Sequence, residues 1–128
     1  SYPVTEPQHF ELQYNVWYYM LSKDEDFINA VIERYRALRQ GVLSDAYLNG
    51  YMDAVVEWLG PAVDRNFSVW GYALDKDMLS PAWRNPHSHA AAVAQMKRFC
   101  TERGAWMDEN IDILRQYSHE SKNKKFNH

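Results

Sequence analysis

The chain has 128 residues, a net charge of −3 at pH 7 and a 15% share of aromatic residues. This length suits a single domain with a buried core. The acidic balance argues against a nucleic-acid partner, and no apolar run reaches the roughly 18 residues of a membrane span. A single Cys, Cys100, excludes an internal disulfide and a cysteine metal cage. The many aromatic residues are explained either by a tightly packed helical core or by platforms for sugars or peptides.

The first 21 residues predict an extended lead-in over 1–8 and then a helix over 9–21. Pro3 and Pro7 favour the extended segment. Apolar residues recur at helical spacing in the helix and also occupy its other faces; those at helical spacing are Phe10, Tyr14, Trp17, Tyr18 and Leu21. Because a helix that is apolar nearly all round is covered on more than one side, we expect a neighbouring piece of protein to pack here. The start Ser-Tyr-Pro-Val, without Met, also favours a segment excised from a longer protein.

A second helix is predicted over 24–40. Asp24 suits its N-cap, and Gly41 is placed to end it. Arg39 falls inside the apolar arc of this helix. A buried guanidinium requires carboxylate or carbonyl partners, and the alternative is a stem that lies along the core while the head stays in water.

A third helix is predicted over 44–70, beginning at the cap residue Ser44. Its apolar stripe continues in phase past Gly60-Pro61, so Pro61 is expected to kink the helix there. Asn66 lies in the centre of the stripe and Trp70 at its end. A buried Asn must satisfy its amide, which favours a structural tie over a ligand contact.

The connection over 71–86 is long for a structureless loop, and we expect Met78, Leu79 and Trp83 to tether it. A final long helix is predicted over 88–118, with Asn85, Pro86 and Ser88 supplying its cap chemistry. The polar tail over 119–128 is expected to be frayed.

The apolar stripe of the final helix holds its phase across Gly104 and includes Trp106. Arg103 falls within this stripe. We expect Arg103 and Asn66 to be mostly buried and hydrogen-bonded, tying the third helix to the fourth, because a charge is tolerated there only with partners.

No residue set in the sequence predicts a catalytic, cofactor-binding or metal site. His87 and His89 lack a third ligand at helical spacing, and Asp108, Glu109 and Asp112 fall on the solvated face of the last helix. The expected fold is all-α, with four principal helices forming a single helical domain or a C-terminal subdomain over 1–128. The residues assigned a structural role are Arg39, Asn66, Trp70, Arg103 and Trp106.

One ordered set of short motifs is more specific than helical periodicity. In chain order it comprises Trp17, Asp24-Glu25-Asp26-Phe27, Arg34-Tyr35-Arg36-Ala37-Leu38-Arg39, Leu43-Ser44, Arg65-Asn66-Phe67-Ser68-Val69-Trp70, Met96-Lys97-Arg98-Phe99-Cys100-Thr101-Glu102-Arg103 and Trp106-Met107-Asp108. This set resembles the C-terminal helical region of the CotH family, the spore-coat-protein-H-type atypical protein kinases. The resemblance covers Trp17 to about Ile113.

The resemblance implies an ATP- and Mg-dependent kinase that phosphorylates Ser residues of partner proteins, at the spore coat or cell surface. The nucleotide- and metal-binding residues of the family lie N-terminal to the matched region, so the implied cofactors belong to a parent protein and its N-terminal lobe becomes the expected partner. This chain alone is then expected to be inactive. Two other functions remain open: a helical module that binds a protein or glycan, and a structural domain that links modules of a surface protein.

Overall fold

The structure, a computed structural model, describes residues 15–119. Within that range the chain forms five α-helices and no β-sheet, which confirms the all-α prediction. The helices are α1 (Val16–Leu21), α2 (Glu25–Arg39), α3 (Asp45–Leu59), α4 (Pro61–Trp70) and α5 (His89–Asn110). Shorter 3₁₀ segments cover Gly71–Leu74, Ala82–Arg84 and Ile111–Tyr117. The predicted lead-in over 1–8, the start of the first helix and the tail beyond His119 lie outside the described residues.

Side-chain caps explain where three of the helices begin. Asn15 accepts hydrogen bonds from the amides of Trp17 and Tyr18 at the start of α1. Asp24 accepts from the Phe27 amide at 2.8 Å, and Ser88 accepts from the Ala91 amide at 3.0 Å. The cap roles predicted for Asp24 and Ser88 are therefore confirmed.

The predicted third helix is two helices, so the expectation of a kink in one continuous helix is wrong. Gly60 adopts φ 46° and ψ −129°, a conformation that L side chains rarely adopt. Pro61 then occupies the first turn of α4, where its missing N–H costs no intrahelical hydrogen bond. The phase of the apolar stripe is consequently not carried from α3 into α4.

The last predicted helix also changes form along its length. The α-helix ends at Asn110 and continues as a 3₁₀ segment over Ile111–Tyr117. In a 3₁₀ segment, side chains three residues apart lie directly above one another. Ile111 and Leu114 have this spacing, and both are buried.

The connection between α4 and α5 is held by polar groups, so the predicted apolar tether is wrong. Met78 is 77% exposed and Trp83 is 69% exposed. Instead, the Asn85 amide accepts a hydrogen bond from the Leu79 amide N–H and donates one to the Leu79 carbonyl, each at 2.8 Å. Gln95 of α5 donates to the Trp83 carbonyl at 3.2 Å.

The chain divides into two compact units. The first comprises Ser1–Ser44 and Glu102–His128, and the second comprises Asp45–Thr101. The core of the first unit consists of Ile28, Ile32, Ile111 and Leu114, with exposures of 0–5%, and is surrounded by partly buried Phe27, Val31, Tyr35, Met107 and Tyr117. Ile28 and Ile32 are four residues apart on α2, so they present one face to this core. No helix among the described residues is both long and apolar enough to cross a bilayer.

Candidate functional site: a polar cluster between α2 and the end of α5

Arg39, in the last turn of α2, is the centre of a polar cluster in the first unit. Its Nε lies 3.0 Å from Asp108 Oδ1 and its Nη2 lies 2.8 Å from Asp108 Oδ2, a two-pronged ion pair. Its Nη1 donates to the Leu43 carbonyl at 2.6 Å. The side chain of Arg39 is 13% exposed. Of the two alternatives that the sequence left open for Arg39, the structure therefore shows the buried guanidinium with carboxylate and carbonyl partners.

Gly104 makes room for this guanidinium. A Cβ built at position 104 would lie 2.8 Å from Arg39 Nη1 and 3.0 Å from Arg39 Cζ. Real Cβ atoms essentially never approach other heavy atoms so closely. Glycine in the interior of a helix costs about 0.5–1 kcal/mol relative to alanine, and the passage of Arg39 explains why this position carries one.

Tyr35 completes the cluster from the preceding turn of α2. Its hydroxyl lies 2.7 Å from Asp108 Oδ1 and 3.2 Å from the Gly104 carbonyl oxygen. The hydrogen bond from Arg39 is the main cause that lowers the pKa of Asp108; desolvation opposes this shift, and the Tyr35 hydrogen bond and the Arg39 charge reinforce it. Asp108 is consequently held as a carboxylate at neutral pH.

A second ion-pair group lies one turn further along. Asp112 pairs with both Arg36 of α2 and Arg115 of the 3₁₀ segment. Arg115 Nε also donates to Asn29 Oδ1 at 3.1 Å. Asp108 and Asp112 are exposed, as predicted for the solvated face of the last helix, and both also make ion pairs with arginines of α2.

An open pocket of about 330 Å³ lies over the cluster, lined by Arg36, Arg39, Gln40 and Asp108. Both Asp108 oxygens already accept hydrogen bonds, and Asp112 is neutralised by two guanidinium groups. A Mg²⁺ ion requires carboxylate oxygens that are free to bind it. Within residues 15–119 no group of three His, Cys, Asp or Glu side chains is arranged to hold a metal. The residues of this cluster do not fit a Mg–nucleotide site. Their hydrogen bonds and ion pairs join α2 to the end of α5.

The other predicted structural residues have mixed outcomes. Trp106 is buried at 7% exposure, and the Arg103 guanidinium lies over its ring at 4.3 Å, a cation–π contact. Arg103 is half-buried, and burial lowers its pKa while Tyr35 acts in the opposite sense. Asn66 is exposed and Trp70 is 57% exposed. The predicted burial of Asn66 is wrong because the break at Gly60 removes the helical phase on which it was based.

Among the described residues, α1 and α3 each carry a group of exposed apolar side chains outside the cluster. In α1 every residue is exposed, with Trp17 at 79%, Tyr18 at 58% and Met20 at 61%. We call this helix, Val16–Leu21, the α1 surface. On α3, three aromatic side chains four and seven residues apart form the α3 aromatic stripe: Tyr47 at 53%, Tyr51 at 62% and Trp58 at 83% exposure.

The polar cluster joins two motifs that lie far apart in the sequence. Arg39 ends the Arg34–Arg39 motif and Asp108 ends the Trp106–Asp108 motif. Sequence reasoning identified Arg39 and Trp106 but missed Tyr35, Gly104 and Asp108. The signal that identifies them is spacing, because Tyr35 with Arg39 and Gly104 with Asp108 are each four residues apart and so share one face of a helix.

Comparison with protein-family models gives a match over residues 3–107, to the family described as CotH kinase protein. Searches of curated proteins and of solved structures return no significant match. The matched range contains Arg39 and Gly104 and ends one residue before Asp108.

Proposed function

This chain belongs to the CotH kinase protein family, and from that premise we propose that it is the C-terminal helical portion of an atypical protein kinase of this type. In this proposal the helices support a nucleotide-binding part that lies N-terminal to them in the parent protein. ATP and Mg²⁺ are bound by that part. The acceptor is a Ser residue of a partner protein.

The observation that carries the proposal is the α1 surface. Six consecutive residues, Val16–Leu21, are all exposed, and all six are large and apolar. Contiguous apolar patches on soluble proteins commonly mark interaction sites. In this proposal the partner of this surface is the N-terminal lobe of the parent protein.

The polar cluster supports the scaffolding role. Arg39, Asp108 and Tyr35 join α2 to the end of α5 by directional hydrogen bonds, beside the core residues Ile32 and Ile111. In this proposal the frame holds α2 against the end of α5, and α1 ends only a few residues before the Asp24 cap of α2. In this proposal that rigidity positions the α1 surface for the lobe.

The first experiment tests association between the chain and the separately produced N-terminal lobe of its parent. Trp17→Ala is expected to weaken binding at least tenfold by calorimetry, because interface tryptophans commonly contribute 2 kcal/mol or more. Trp58→Ala is the matched control, since Trp58 is equally exposed. If the unmodified chain and the Trp17→Ala variant bind the lobe with equal affinity, the proposal is contradicted.

The second experiment tests activity. Because the proposal places the nucleotide site in the other lobe, the purified chain incubated with radiolabelled ATP and an acceptor protein is expected to transfer no phosphate above background. Addition of the lobe should restore transfer. Reproducible phosphate transfer by the repurified chain alone would contradict the proposal that the nucleotide site lies in the other lobe.

The α3 aromatic stripe favours a second candidate function, a helical module that binds a protein or a glycan. Exposed aromatic rings with one polar end, as in Tyr47, Tyr51 and Trp58, are typical of such surfaces. If this is the main function, Trp58→Ala will abolish binding to the partner while Trp17→Ala leaves it intact. The same two variants therefore separate the two candidates.

A further inference from the structure

His87, two residues before α5, lies between two oxygen atoms of the preceding segment. Its Nδ1 is 2.8 Å from the Leu74 carbonyl oxygen, and its Nε2 is 3.3 Å from Asp77 Oδ1. These two contacts connect the start of α5 to the chain that leaves the 3₁₀ segment Gly71–Leu74. His87 therefore contacts a residue thirteen positions earlier in the chain.

Both of these oxygen atoms are hydrogen-bond acceptors. A carbonyl oxygen donates nothing, and an ionised carboxylate donates nothing either. A neutral imidazole has one N–H, so each of its two tautomers leaves a nitrogen lone pair facing an oxygen atom. The imidazolium form has two N–H groups and satisfies both contacts at once. Of the three forms of the ring, the imidazolium is the one that donates to both oxygen atoms.

We propose that His87 is a pH-sensitive clasp that fastens the segment 74–78 to the start of α5. With the ring protonated, the imidazolium donates to the Leu74 carbonyl and pairs with Asp77, and the clasp is closed. With the ring neutral, only one of the two contacts keeps an N–H donor, and the hold on the segment is weakened. Histidine is the side chain that ordinarily changes charge between pH 5 and 8.

The surrounding groups confine this effect to 74–78. Asp77 is the one charged side chain that the structure places in contact with His87 among the described residues. Asp75 and Lys76 are neighbours in sequence, and His89 of α5 lies against the Phe67 ring at 5.6 Å. The next part of the segment is held by Asn85 and Gln95, whose amides do not titrate. Release therefore ends near Leu79.

Hydrogen exchange measures the clasp directly. The Asp75 amide donates to the Tyr72 carbonyl at 3.2 Å, so its protection reports the order of this segment. After correction for the intrinsic exchange rate at each pH, its protection is expected to fall about two- to fivefold between pH 5 and pH 8, the range that corresponds to an exposed ion pair. NMR shifts of the 74–78 amides should follow the same titration as the His87 ring.

Three variants make the test specific. His87→Gln and Asp77→Asn should each remove the pH dependence, because one lacks the titrating ring and the other lacks the charge that the ring faces. His89→Gln is the matched control and should retain it. Equal Asp75 protection at the two pH values in the unmodified protein, or an unchanged pH dependence in His87→Gln, would overturn the proposal. Neither outcome bears on association with the N-terminal lobe, which is measured at α1.

Discussion

The two compact units differ in what they bury. All six buried residues among those described belong to the first unit: Ser22, Ile28, Ile32, Trp106, Ile111 and Leu114. The second unit, Asp45–Thr101, is described in full and has no residue buried to this degree. It nevertheless exposes Trp58, Trp70 and Trp83. The first unit therefore has a core of its own, whereas the second leaves its largest apolar side chains in contact with water.

This difference separates two kinds of apolar residue that look alike in sequence. Ile28 and Ile32 of the first unit and Tyr47 and Tyr51 of the second both recur at i, i+4 on a helix. The first pair is sealed by the 3₁₀ segment Ile111–Tyr117, while the second pair lies on an exposed stripe. Helical periodicity thus predicts which residues share a face but not what covers that face.

Truncation of a core residue should give the largest effect and the sharpest contrast between the units. Ile32 is 0% exposed, so Ile32→Ala should lower the free energy of unfolding by about 2–5 kcal/mol through lost burial and the remaining cavity. Val55→Ala, at a partly buried position of α3, should cost clearly less. Chemical denaturation measures both. Equal losses would show that the second unit has a core as tight as the first.

Glycine substitutions should give effects of opposite sign in the two units. Gly104→Ala places a Cβ 2.8 Å from Arg39 Nη1, which Asp108 and Leu43 hold in place, and should cost about 1–3 kcal/mol through overpacking. Gly50→Ala in α3 meets no atom within 4 Å and should stabilise by about 0.5–1 kcal/mol. Thermal denaturation of the two variants gives the comparison. Stabilisation by both would mean that the Arg39 side chain moves aside freely.

The sequence was sufficient for the helices that begin with a strong cap. Asp24 and Ser88 were identified as caps, and the helices start beside them. Helix interiors are also predictable, since α2 and α5 lie within the expected ranges 24–40 and 88–118. These features depend on neighbours in sequence, which the sequence contains in full.

The sequence was insufficient where a backbone conformation or a distant partner decides the outcome. The turn at Gly60 depends on a positive φ that periodicity does not register, and it moves Asn66 and Trp70 out of the predicted stripe. The pairing of Arg39 with Asp108 spans 69 residues. A helical wheel reports the direction of each side chain separately. It therefore indicated that Arg39 requires polar partners, but it could not identify Asp108 as one of them.

Arg103 provides a smaller test within the first unit. Full burial would have made Arg103→Ala cost roughly 2–5 kcal/mol. The side chain is half-buried over the Trp106 ring, so the expected loss is about 0.5–1 kcal/mol for the cation–π contact. Arg98→Ala, at an exposed position of the same helix, should stay within about 0.5 kcal/mol. The urea midpoints of both variants distinguish these two magnitudes. If Arg103→Ala lowers the free energy of unfolding by more than about 2 kcal/mol, the Arg103 guanidinium is fully buried after all.

The smallest effect is the acid dependence of the Arg39–Asp108 pair. The pKa of Asp108 is lower in the folded chain than in the unfolded chain, chiefly because Arg39 donates to the carboxylate. The pair therefore contributes its full stability above the unfolded value, about pH 3.9, and loses it as the pH falls through the lower folded value. Because the Asp108 side chain is 45% exposed, solvent screening limits this contribution to about 0.2–1 kcal/mol.

Asp108→Asn should accordingly flatten the fall in urea midpoint between pH 5 and pH 2, since an amide does not titrate. Glu109→Gln is the matched control, because it removes an exposed carboxyl one residue away on the same helix without touching the Arg39 fork. Equal flattening by the two variants would mean that the fork adds nothing beyond the loss of a surface carboxylate.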